Sequence, residues 1–122
     1  MSPELQQIAQ DQPYQAEAYE FVLRSLNTLL AAHRKPRHVN GVELSEAIRQ
    51  DALREFGPMG KYVLNRWGIH SSRDFGEIVF HLVEAGILRK TEDDRIEDFD
   101  RRFDFDAVFE RDYYATRESF ES

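Results

Sequence analysis

The stretch Trp67-Gly68-Ile69-His70-Ser71-Ser72 lies between two short amphipathic segments and has the form of the turn in a helix-turn-helix. Gly68 supplies a helix stop, and Ile69 is placed to fold back onto the preceding turn as the apolar partner of a glycine cap. Ser71 and Asp74 have the spacing of a capping-box variant, which predicts the start of the next helix. These signals predict a small helical domain, and they define the architecture better than any activity.

Four main helices are predicted around this turn from the spacing of apolar residues. The first runs from Pro13 to about His33, and the second covers residues 42–56 and stops at Gly57. The third covers residues 58–67, and the fourth covers residues 72–85. One face of the third helix is expected to be shared by Met59, Val63 and Trp67. We expect Trp67 to lie in the core and not on a ligand-binding surface.

Residues 87–99 contain two short apolar runs around a polar turn, which predicts a short β-hairpin with weak alternation. Helix, helix, turn, helix and hairpin is the order of a winged helix, with residues 87–99 as the wing. A helical bundle without a wing fits the same pattern. The predicted fold class is therefore mainly α, a small single-domain helical bundle with a short hairpin, and winged-helix-like is the specific prediction.

Length and composition favour one soluble domain. The chain has 122 residues, of which 41% are hydrophobic, and it contains no cysteine for disulfides, thiolate metal sites or cysteine nucleophiles. Residues 1–12 are polar and expected to be frayed, without the apolar run of a signal peptide. No apolar run is long enough for a membrane span. We expect a cytoplasmic protein without a membrane partner.

The C-terminal quarter carries the net charge of −7. Residues 1–90 contain 11 acidic and 11 basic residues, whereas residues 91–122 contain 12 acidic and 5 basic residues. The same quarter is rich in phenylalanine and tyrosine, unlike a purely solvating tail. Residues 100–122 are therefore predicted to form an acidic, aromatic segment that is helical from about Asp106 to Arg117 and docks on its own domain. Docking on a partner is the alternative.

Four motifs follow one another along the chain: RHVNGVEL at residues 37–44, FGPM at 56–59, VLNRWGI at 63–69 and DFGEIVFHLV at 74–83. This ordered string resembles a family of small uncharacterised bacterial proteins of similar length, over about residues 14–109. The resemblance implies a stand-alone cytoplasmic protein. It implies no activity, cofactor or partner.

The one basic cluster is His33-Arg34-Lys35-Pro36-Arg37-His38. Its cations have the charge to contact the phosphates of a nucleic acid. Alternatively, they complement the C-terminus of the first helix and stay solvated. The residues that we name as a candidate interaction surface are Arg34, Lys35, Arg37, His38 and Arg73.

The fourth helix carries an acidic stripe with one imidazole. Glu77, His81 and Glu84 are spaced to reach one metal ion, but no second cluster completes a ligand set, and ordinary helix pairs explain the same spacing. The stripe also repels phosphate, which disfavours base reading by this helix. The aspartates between residues 98 and 106 lack the glycine and glutamate of a calcium loop. We predict no metal, no cofactor and no catalytic residue.

The pattern as a whole favours a non-enzymatic protein-interaction module. It combines a balanced helical core with an acidic, aromatic C-terminal segment. Nucleic-acid binding through residues 33–38 is the alternative, and an enzyme with an unrecognised site ranks below it. Self-association into a homo-oligomer is also left open.

Overall fold

The computed structural model describes residues 3–32, 39–88 and 96–112. Within these ranges the chain is mainly α, which confirms a small helical domain, and it forms no strand. The five α-helices are α1 (Pro3–Ala9), α2 (Ala16–Ala31), α3 (Gly41–Phe56), α4 (Gly60–Arg66) and α5 (Ser72–Glu84). The shorter helical elements are a 3₁₀ turn at Gly57–Met59, a 3₁₀ turn at Ile96–Phe99 and a π-helical turn at Ala107–Asp112.

Residues 3–9, within the stretch expected to be frayed, form the helix α1. Leu5 is only 5% exposed, and Ile8 and Ala9 pack against the same core. These three residues have helical spacing, so one face of α1 is apolar and packs on α2. The polar residues around them obscure this short stripe in the sequence.

The described part of residues 87–99 contains no strand. Ile96–Phe99 forms a 3₁₀ turn, and the buried Phe99 packs against glycines of α3 and α5. Residues 89–95, which include the polar turn of the predicted hairpin and parts of both its strands, lie outside the described residues. The wing is therefore still a prediction.

In α4, which precedes the central turn, the side chains that face the core differ from those that the sequence predicts. Leu64 is the fully buried side chain of α4, whereas Met59 is 55% exposed. Gly57–Met59 forms a 3₁₀ turn, which winds more tightly than an α-helix and places Met59 outside the core. Trp67 does pack inward, with its ring centroid 5.8 Å from that of Phe21.

The central turn has the predicted caps. Gly68 has a φ of 93°, a conformation that favours glycine, and the Ile69 amide donates to the Leu64 carbonyl at 2.9 Å. Ile69 is fully buried. At the start of α5, the Asp74 carboxylate accepts from the amides of His70 and Ser71, at 2.8 and 3.1 Å.

The described C-terminal residues complete the core. Phe105, Val108 and Phe109 are buried, and the Phe109 ring lies against Gly60 of α4. Ser72 ties the chain to α5, because its hydroxyl donates to the Phe99 carbonyl at 2.6 Å and accepts from the Arg102 amide at 3.0 Å. Residues 96–109 thus pack on their own domain.

Candidate interaction surface

The predicted surface residues fall into two groups. Arg34, Lys35, Arg37 and His38 lie outside the described residues. Arg73 lies in the first turn of α5, and its guanidinium donates to both carboxylate oxygens of Asp100 at 2.8 Å. These hydrogen bonds raise the pKa of Arg73 above its ordinary value. Arg73 therefore holds the C-terminal segment, which the sequence did not indicate.

A different surface is exposed on the other side of the central turn. Met59 and Tyr62 are 55% and 63% exposed, and Val42 is the third exposed large hydrophobic residue in the part of the chain that the structure describes. Val63 is half-buried and Arg66 is exposed. Within α4, Arg66 follows Val63 by three positions and Tyr62 by four, so these side chains are neighbours on the helix surface, and Met59 lies in the 3₁₀ turn directly before α4. We call Met59, Tyr62, Val63 and Arg66 the α4 patch.

Arg66 differs from most basic residues of the described ranges, because it has no carboxylate partner within them. The basic residues that form ion pairs there are Arg24, Arg49, Arg54, Lys61 and Arg73. Lys61, next to the patch, donates to Asp106 at 2.6 Å. Arg66 is the one cation of the α4 patch.

The α4 patch rests on a well-packed support. Leu64 is fully buried beneath it, and the fully buried Phe109 lies against Gly60. The tight approach of Phe109 to Gly60 leaves no room for a side chain at this position. The helix that carries Met59 and Tyr62 is therefore held by the core on its inner face.

A second polar arrangement lies between α2 and α5. The Tyr14 hydroxyl lies 2.6 Å from Asp74 Oδ1 and 2.6 Å from Glu77 Oε2, although the tyrosine is only 3% exposed. One hydroxyl proton serves two carboxylates, so it can be donated to only one of them at a time. Burial, followed by these hydrogen bonds, raises the pKa of Tyr14 well above its ordinary value.

Tyr19 extends this arrangement along α5. Its hydroxyl lies 2.8 Å from His81 Nδ1, and its side chain is fully buried. Burial, with a smaller contribution from the charge of Glu77, raises the pKa of Tyr19 to about 12. Tyr14, Tyr19, Asp74, Glu77 and His81 form what we call the tyrosine–carboxylate cluster.

The acidic stripe of α5 belongs in part to the tyrosine–carboxylate cluster. Glu77 contacts Tyr14, just before α2, and His81 contacts Tyr19 of α2, so neither is freely solvated, while Glu84 is exposed. No group of three potential ligands that could hold a metal ion occurs in the ranges 3–32, 39–88 and 96–112. The sequence prediction omitted both tyrosines. Their signal was the helical spacing from Tyr14 to Ala18 and from Tyr19 to Val22.

His81 also borders an open cleft of about 500 Å³ between α1 and the end of α5. The cleft is lined by Glu4, Gln7, Ile8, Asp11, Gln12, His81, Glu84, Ala85 and Ile87. This lining offers carboxylates and one imidazole, without a hydroxyl, thiol or amine nucleophile. Within the tyrosine–carboxylate cluster, the contact of Tyr19 with His81 links α2 to α5.

No family model, curated protein or solved structure matches the chain. Among the helices that the structure describes, none has the length and apolar character needed to cross a membrane. The functional interpretation therefore depends on the surface residues themselves.

Proposed function

We propose that the protein is a non-enzymatic protein-interaction module that binds a partner through the α4 patch. The observation that carries this proposal is the exposure of Met59 and Tyr62, three positions apart in two consecutive helical elements. A single exposed apolar side chain is ordinary on a protein surface. Methionine, tyrosine and arginine together are instead the residue types enriched at protein interfaces.

The sequence alone suggested that the C-terminal segment binds the partner, whereas we propose the α4 patch for this role. Two aromatic residues of that segment, Phe105 and Phe109, are buried in the domain itself, as is the preceding Phe99. They stabilise the fold and are not available to a partner. The exposed apolar residues of α4 have the accessibility that binding needs, and their rigid support lowers the entropic cost of binding.

The test is affinity capture from the protein's own cells, with wild type compared to Met59→Ser/Tyr62→Ser. We expect a protein that wild type retains and the double variant loses, because tyrosine and methionine in an interface supply much of the binding energy. Val42→Ser is the matched control, since it removes another exposed apolar side chain. Equal capture by wild type and the double variant would refute the proposal. Circular dichroism verifies that each variant is folded.

Nucleic-acid binding through residues 33–38 is the alternative, and it is tested in the same eluates. It predicts a high ratio of absorbance at 260 to 280 nm and binding that weakens steeply with salt. Charge reversal at Arg34 and Lys35 should then abolish retention. The winged-helix interpretation is a separate proposal: α3, α4 and α5 occur in the required order, and the wing would be formed by residues 87–99.

A further inference from the structure

We infer that the partner of the α4 patch is an acidic amphipathic segment. Such a segment presents apolar side chains to Met59 and Tyr62 and a carboxylate to Arg66. The inference rests on the proposed function and specifies the chemistry of the partner. It is carried by the shape and charge of the α4 patch.

Met59, Tyr62 and Val63 form the apolar part of the α4 patch, and they determine which apolar side chains the partner presents. They follow one another within little more than one helical turn, so they offer a short apolar strip and not a broad flat surface. A strip of this kind fits the apolar face of one helix or one extended segment. Methionine adapts its shape to the partner, and tyrosine adds a hydroxyl at the edge of the strip.

The charged half comes from Arg66. A guanidinium that is covered by a partner loses its water, and this loss is costly unless a hydrogen-bonding anion replaces it. The described residues supply no carboxylate to Arg66, and the neighbouring Lys61 already binds Asp106. In the proposed complex, the partner brings the acceptor. A carboxylate matches the planar fork of arginine with two parallel hydrogen bonds.

The α4 patch has one charged residue, the cation Arg66. The net charge of −7 lies in residues 91–122, so a basic partner would be attracted to that part of the chain. At the α4 patch, however, a lysine or arginine would face Arg66 and be repelled. An acidic segment is the occupant that complements the patch, and its binding should be local and specific.

The experiment is selection from a random peptide library on four immobilised proteins: wild type, Met59→Ser/Tyr62→Ser, Arg66→Glu and Arg102→Glu. Arg102 is the matched control, because it is an exposed arginine whose side chain has no ion pair among the described residues. We expect wild type and Arg102→Glu to enrich peptides with aspartate or glutamate at a fixed distance from apolar residues. Arg66→Glu should enrich lysine or arginine at that position instead.

A synthesised peptide from the wild-type selection then gives the magnitude. We expect Arg66→Glu to weaken its binding about tenfold or more, as loss of a central arginine does in interfaces. A peptide with lysine in place of the acid should recover part of this loss on Arg66→Glu. Recovery would not occur if Arg66 merely supported the fold of α4.

The outcomes separate the two proposals. If wild type enriches no peptide beyond the double variant, the proposed function itself fails. If enriched peptides need Met59 and Tyr62 but show no acidic preference, the function stands and the acidic partner is refuted. A wild-type dimer that the double variant converts to a monomer in light scattering would also refute it, because a second copy would then occupy the α4 patch.

Discussion

At the residue scale, Tyr14 illustrates how one buried hydroxyl connects distant parts of the chain. It bonds Asp74 and Glu77, and the N-terminal end of α2 is thereby fixed to α5. Replacement by phenylalanine leaves both carboxylates without this donor. We expect Tyr14→Phe to lower the free energy of unfolding by about 1–3 kcal/mol, measured by urea denaturation at neutral pH.

The control for this prediction is Tyr62→Phe, which removes an exposed hydroxyl of α4. It should change stability by less than about 0.5 kcal/mol. Equal stability of Tyr14→Phe and wild type would show that water replaces the buried hydroxyl without cost. The hydrogen bonds of Tyr14 would then not fasten α2 to α5.

Gly76 tests the packing of the C-terminal segment. A Cβ atom at this position would lie 2.8 Å from the ring of Phe99. Alanine normally stabilises a helix interior by about 1 kcal/mol relative to glycine. We expect the clash to reverse this sign, so that Gly76→Ala costs about 1–3 kcal/mol. Thermal unfolding of the variant measures the effect.

The matched background is Phe99→Ala, in which the ring is absent. Gly76→Ala should cost much less there, because of the three nearest atoms only the Cβ of residue 99, at 3.1 Å, remains. A loss of the same size in both backgrounds would contradict the contact with Phe99. Such a result would assign the cost to another neighbour of Gly76.

Local features of the sequence predicted local structure well. Gly68, Ile69, Ser71 and Asp74 act on neighbours within a few positions, so their capping roles can be recognised from spacing alone. The pairing of Tyr14 with Asp74 spans 60 positions. Such a contact depends on how the helices pack, which the sequence of either helix does not contain.

At the element scale, α4 shows where a helical pattern fails. A regular α-helix over residues 58–67 predicts that Met59 lies on the same face as Trp67 and therefore in the core. The 3₁₀ turn at Gly57–Met59 shifts this phase and exposes Met59 instead. The candidate interaction surface was missed for this reason. The sequence did hold one indication of this surface, because Tyr62 does not fall on the predicted inward face of the third helix.

The C-terminal segment is expected to be required for folding. Ending the chain after Phe99 removes the buried Phe105, Val108 and Phe109. Loss of one buried phenylalanine commonly costs about 3–5 kcal/mol, and a whole domain is stable by only about 5–15 kcal/mol. We therefore expect this truncation to unfold without a cooperative thermal transition.

Near-ultraviolet circular dichroism gives the second readout for the truncation, because the aromatic residues should lose their fixed environment. A cooperative transition close to that of wild type would contradict the prediction. It would mean that α1 to α5 are stable without residues 100–122. These residues would then be free to act as a separate binding element.

At the scale of the whole molecule, stability should depend on pH in the alkaline range. Tyr19 has its pKa raised to about 12, and the pKa of Tyr14 is also raised. The folded state therefore keeps protons that the unfolded state loses above about pH 10. Stability is full below about pH 10 and falls as the pH rises towards 12, and Tyr19 accounts for a loss of about 2–3 kcal/mol. Urea denaturation at increasing pH measures this slope.

Tyr19→Phe should show a shallower slope, because phenylalanine has no proton to lose. An unchanged slope in this variant would show that Tyr19 does not contribute to it.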